Sequence, residues 1–394
     1  MTINLVRLVL VFLLLCTGLS VHAATLRLTA EYKPSISNPS HTRFTNTTPL
    51  SGYCSTYPDY CPAGGFSILI PSLNAEKRFV SSSDDIKKHT YAHLDSRPRE
   101  IHLFDRRTGE RIAATFRLNL VAMRVNGEMH GGGWNGAGLN PQGGCTRGVG
   151  VGNSSWYMFG WGYPSDVQTC HRKIKTGVSV DQVYRIADIS VGYELEIDSP
   201  MGVHNGIYEG ELTYSIGDND HIDLGAETYS DSELTIQIQA TVEHAFSLQF
   251  PEGSERLVLS PEGGWAKWLN SGQQPTRLRR DLDFFLTTSG PITVVLDCEH
   301  RAGMNCGLRN TQGGEVVPLE TRLTLPGLQM MGAEVKEALL HPGGRLAFFD
   351  VSDFVFTRRS TLHFWVEQPA VETMLRQPGS TWRGRVTLIF DGDI

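Results

Sequence analysis

The 394-residue chain has no excess of positive charge: 35 Lys and Arg stand against 42 Asp and Glu, for a formal net charge of -7. A phosphate backbone finds no broad cationic footprint here, which excludes nucleic acid as a partner. Long helical periodicity is nearly absent, and frequent apolar alternation together with 41 glycines points instead to an all-β protein. Catalytic signatures are missing too. There is no G-x-S-x-G elbow and no H-E-x-x-H, and "GVGVGN" at 148–153 has neither the Lys nor the following helix of a phosphate loop. C-x-x-C does not occur, the histidines are scattered, and "DNDHID" at 218–223 lacks the glycine and distal glutamate of a calcium loop. The sequence thus predicts no enzyme, no cofactor and no metal site.

A bilayer-length apolar run is also missing. The opening "MTINLVRLVLVFLLLCTGLSVHAA" has a lone Arg7, an apolar stretch from Leu8 to Leu15 and a small-residue site before Ala24. That is the pattern of a secretory signal peptide over residues 1–23, too short to span a membrane. Beyond it the chain keeps Cys54, Cys61, Cys145, Cys170, Cys298 and Cys306, an even set that in an exported protein reads as disulfides. About fifteen pairings are formally possible. The short spacings favour the sequential one: Cys54 with Cys61, Cys145 with Cys170, Cys298 with Cys306.

Strand patterns dominate the remainder. Period-two alternation marks 26–32, 66–70, 114–125 and 189–197 in the first part, and 282–287, 292–298, 319–325, 346–349 and 361–367 in the second. "AEVKEALLH" at 333–341 reads as the single helix. The stretch "YEGELTYSI" at 208–216 is echoed by "WRGRVTLIF" at 382–390: Tyr208, Gly210, Leu212, Tyr214 and Ile216 align with Trp382, Gly384, Val386, Leu388 and Phe390. The first copy is followed by an acidic stretch without apolar periodicity, read as a linker over 217–233. A new alternation then begins at Leu234, Ile236 and Ile238. Two tandem β-sandwich domains, 24–216 and 234–394, are expected, each closing on the same kind of strand.

Glycine and aromatics interleave in 126–177, a composition suited to a lectin site, with ring faces to stack on sugars and amides to hold hydroxyls. The candidates are Trp134, Asn135, Trp156, Trp161 and Tyr163. Against this, Tyr157, Phe159, Trp161 and Tyr163 share one strand face and read first as core, whereas Trp134 lies among glycines in a loop and is expected to be exposed. Asn46-Thr47-Thr48 and Asn153-Ser154-Ser155 match glycosylation acceptors, which matter only in a eukaryotic source.

An exported chain of two β domains, the second ending in an aromatic-x-Gly-x-apolar-Thr strand, resembles the two-domain tip adhesins of bacterial chaperone-usher pili. The quoted ending, the Cys298 and Cys306 pair and the stretch "YEGELTYSIGDNDHIDLG" carry the resemblance. It implies that the C-terminal domain is an incomplete immunoglobulin-like pilin sandwich completed by donor-strand complementation. Val386, Leu388 and Phe390 would line the acceptor groove, filled first by a periplasmic pilus chaperone and then by the adjacent pilus subunit. An outer-membrane usher is a further implied partner, and a host or surface glycan the implied receptor of the first domain. Because a whole domain precedes the pilin-like unit, the chain is expected to accept a strand but donate none, placing it at the pilus tip on the cell surface. The Cys298–Cys306 pair encloses only "EHRAGMN", which departs from shaft pilins and leaves the strand order of that domain open. A non-binding structural tip subunit and a secreted carbohydrate-active enzyme remain alternatives.

Overall fold

The structure, a computed structural model, describes residues 23–34, 37, 41–61, 66–132, 134, 136–147, 150–197, 202–343, 347–351 and 353–392. Apart from Ala23, the signal-peptide reading lies outside the described residues. None of the described helices is long and apolar enough to cross a membrane. The chain is mostly β and divides into two compact units: one comprises residues up to 30, 43–197 and 208–240, the other 31–42, 198–207 and the stretch from 241 onward.

In the first unit, alternation builds the long strands. Ile112, Ala114, Phe116, Leu118 and Leu120 turn inward along Arg111–Asn126, and Val121, Ala122 and Met123 are then buried in succession, so both faces of the strand are covered there. Its first half pairs antiparallel with Arg99–Asp105, its second half with Trp156–Gly162, and Asp181–Ile197 runs along its other edge. The sheet continues from Arg99–Asp105 through Gly206–Ser215 and Glu233–Val242 to Ala23–Tyr32.

The expected linker is therefore corrected. Within 217–233, Ile222–Asp223 pairs with Thr90–Leu94 and Thr228–Tyr229 pairs with Ala75–Val80. The acidic residues there are not simply solvated. Burial alone would raise the Asp223 carboxyl, yet the Lys87 ammonium, 2.6 Å away, and the amides of Asn219 and Gly225 hold it below the usual carboxylate range. Leu234, Ile236 and Ile238, at most 2 % exposed, sit in a strand that pairs with Gly206–Ser215, so the change of unit falls after Ala240 and not before Leu234.

The second unit strings its strands in the order Phe246–Gln249, Leu278–Thr288, Val355–Val366, Val316–Met330, Ala347–Val351, Ile292–Cys298 and Val386–Asp391 around one apolar core that includes Phe284, Leu296, Leu323, Leu325, Phe349 and Leu362. The helix expected at 333–341 is instead the strand Ala333–Leu340, the return arm of a hairpin with Val316–Met330. Met331 and Gly332, with φ of 52° and 81°, make the turn, and the cross-strand pairing overrides the helix propensity of Ala, Glu, Lys and Leu. A helix does form at Gln368–Leu375, with proline in its first turn and Ala370 and Val371 buried. All three disulfides join the sequential partners: Cys54–Cys61, Cys145–Cys170 and Cys298–Cys306.

Candidate functional site

Along Val386–Asp391, Val386, Leu388 and Phe390 are half-buried against the core of the second unit, while Thr387, Ile389 and Asp391 are exposed. Period-two geometry alone produces this split. On one side the strand pairs antiparallel with Ile292–Cys298, with Val386 opposite Cys298, Leu388 opposite Leu296 and Phe390 opposite Val294. Among the described residues, no strand pairs with its other side. One row of backbone amides and carbonyls is left without a ladder.

Facing that row is an apolar groove of about 660 Å³. Its opposite wall is built by Leu248, Phe250, Leu257 and Leu259, the last two turned inward around Val258, which is 78 % exposed. Leu282, Leu308, Leu319, Leu362 and Phe364 also line the groove, and the buried Phe284 ring packs behind the lining, 4.9 Å from that of Phe250 and 5.7 Å from that of Phe390. Phe246, Leu248 and Phe250 alternate along the chain, yet nothing local marked them as a groove wall or indicated which strand they would face.

A glycine flanks the strand at each end. At one end the chain switches partners, since Trp382–Arg383 pairs with Arg309 and Asn310 while Val386–Asp391 pairs with Ile292–Cys298. Gly384 sits at the switch, where a Cβ would lie 2.4 Å from the Gly307 carbonyl oxygen. Its counterpart in the echoed stretch, Gly210, is pressed the same way, 2.8 Å from the His102 carbonyl. The shared motif thus records a shared close approach of two backbones. The environments then diverge, because Gly206–Ser215 is flanked on both sides, by Arg99–Asp105 and Glu233–Val242. At the far end Gly392 packs against Phe246, and its carbonyl accepts a 2.9 Å hydrogen bond from Asn205 Nδ2.

The expected receptor residues of the first unit fare differently. Trp134 is corrected from exposed to buried at 5 %: its Nε1 donates to the Gly127 carbonyl, and its ring stacks on Tyr157 and meets Phe79 edge-on. Trp161 and Tyr163 are buried as well, the indole donating to the Gly138 carbonyl and the phenol to that of Ala92. A sugar cannot stack on faces closed in this way, and burial pushes the Tyr163 phenol well above its ordinary pKa. Trp156, half-buried, packs with Tyr53 and Cys54, and Asn135 lies outside the described residues. What the sequence did not indicate is Lys77, fully buried on Ala75–Val80 with its ammonium donating to the Leu224 carbonyl. Among the described residues, no cluster of His, Cys, Asp and Glu could hold a metal.

No family model and no curated protein matches the chain. Among solved structures it is similar to a chain from the chaperone–tip adhesin complex of CFA/I fimbriae biogenesis, at 10% identity over 94% of this chain and 96% of that one, with a TM-score of 0.26. It is also similar to a chain of the CsuC–CsuE chaperone–tip adhesion subunit pre-assembly complex from archaic chaperone-usher Csu pili of Acinetobacter baumannii, at 9% identity over 94% of this chain and 99% of that one, with a TM-score of 0.20.

Proposed function

We propose that this chain is the tip adhesin of a chaperone-usher pilus, exported through the periplasm and displayed at the cell surface. In this reading the second unit accepts a donor strand, first from a periplasmic chaperone and then, at the outer-membrane usher, from the adjacent pilus subunit. The first unit binds a surface receptor, a glycan. No catalysis is required.

One observation carries the reading: an edge of Val386–Asp391 that no described strand pairs with lies beside an apolar groove lined by Val386, Leu388 and Phe390. An added strand would hydrogen-bond to the free edge and place alternate side chains in the groove, which supplies affinity and register together. Left open, the same edge invites aggregation. Co-expression in the periplasm with the chaperone of such an assembly should raise the soluble yield and give a stoichiometric complex. Leu388→Asp should abolish capture, whereas Ile389→Asp, on the exposed face, should leave it intact. Recovery of soluble, monomeric, cooperatively folded protein that ignores the chaperone would contradict the proposal.

A further inference from the structure

The first unit carries a second concavity, of about 560 Å³, between the loop that follows Arg111–Asn126 and the turn that precedes Trp156–Gly162. Its shape is fixed by its fastenings. Gly127 N–H donates to the Ser155 carbonyl, Gly177 N–H to that of Gly131, and the Tyr184 hydroxyl to that of Glu128. The stacked rings of Trp134 and Tyr157, tilted by only 5°, form its floor. One wall is bare backbone, since a Cβ on Gly150 would lie 1.6 Å from the Tyr157 hydroxyl and one on Gly152 would lie 2.4 Å from the Trp156 carbonyl.

The polar groups on the rim are uncommitted. Glu128 and His130 are exposed, and among the described residues neither side chain has a hydrogen-bond or ion-pair partner. Asn153 is half committed: its Oδ1 accepts from the amides of Ser155 and Trp156, at 2.8 and 3.2 Å, which fixes the carboxamide and leaves the Nδ2 hydrogens free. The rings below are too buried to be stacked upon, so recognition falls to the rim, where a carboxylate, a carboxamide donor and open main chain match the alternating donors and acceptors of sugar hydroxyls. Among the described residues no Lys or Arg lines the pocket, so an acidic ligand would meet the Glu128 carboxylate without a fixed countercharge there.

We infer that this pocket takes a neutral saccharide, with the Glu128 carboxylate accepting from one hydroxyl and Asn153 Nδ2 donating to a neighbouring one. The inference rests on the reading of the first unit as a glycan receptor domain, and it names the site and excludes sialylated and sulfated ligands. The test is binding of the full chain to immobilised neutral, sialylated and sulfated glycans, for wild type, Glu128→Gln and Asn153→Asp. The Asp variant keeps the Oδ1 acceptor that holds the turn and loses only the donor, and Glu128 is exposed, so both variants should melt like wild type. Binding confined to neutral glycans and weakened about tenfold or more in each variant is the expected result. Wild-type affinity in both variants would move the site elsewhere while leaving the receptor reading intact. Preference for acidic glycans would overturn the ligand class, and failure to bind any glycan would remove the receptor reading itself.

Discussion

Lys77 is a buried cation whose chemistry departs far from its ordinary state. Burial lowers its pKa from 10.5 to about 7, against the pull of the Asp223 carboxylate. Between those values the unfolded chain binds more protons than the folded one, so stability rises with pH across that window and falls as pH drops toward 7. The slope for one proton is about 1.4 kcal/mol per pH unit. Denaturant titrations between pH 7.5 and 9.5 should show it in the wild type, and Lys77→Met should flatten it; an equal slope in both proteins would locate the proton elsewhere. Gly384 offers a steric test at the same scale. A methyl group there meets the Gly307 carbonyl at 2.4 Å, backbone that cannot swing aside. Gly384→Ala should destabilise the second unit by about 1–3 kcal/mol, read as a lowered urea midpoint.

At the scale of elements, the two faces of Val386–Asp391 make opposite predictions. Leu388 packs on the core while Ile389 is 55 % exposed, so Leu388→Ala should cost about 1–2 kcal/mol and Ile389→Ala under about 0.5 kcal/mol. Equal costs would mean that the strand does not hold this register. Period two made that register legible from sequence, as it did for 114–125 and 189–197 within the longer strands Arg111–Asn126 and Asp181–Ile197, because a wet face alternating with a dry one leaves a trace. Segments whose fate is decided by distant partners left none. Ala333–Leu340 has helix-forming residues and became a strand through pairing with Val316–Met330, and the acidic 217–233 gave no hint of Lys87 or of the strands it joins. Trp134 failed for a related reason: glycine neighbours suggest an open loop, but Tyr157, Phe79 and Tyr184, brought in by other strands, pack around the ring.

At the scale of the whole molecule, two β units were legible while their limits were not, since the first is assembled from stretches that are discontinuous in sequence. The alternation beginning at Leu234 reads correctly as a strand, yet the unit that receives it depends on a pairing with Gly206–Ser215 that no local pattern encodes. Of the apolar groove beside Val386–Asp391, the alternation of Val386, Leu388 and Phe390 was legible in the sequence; the wall from Leu248 to Leu259 emerged only when the fold set the two face to face. The central claim is that the unpaired edge of Val386–Asp391 awaits a strand from another chain. Amide hydrogen exchange of the full chain, free and in complex with a chaperone strand, tests this most directly. The account predicts rapid exchange at the groove-facing amides of 386–391 in the free protein and marked slowing in the complex; full protection without a partner, unchanged by the chaperone, would contradict it.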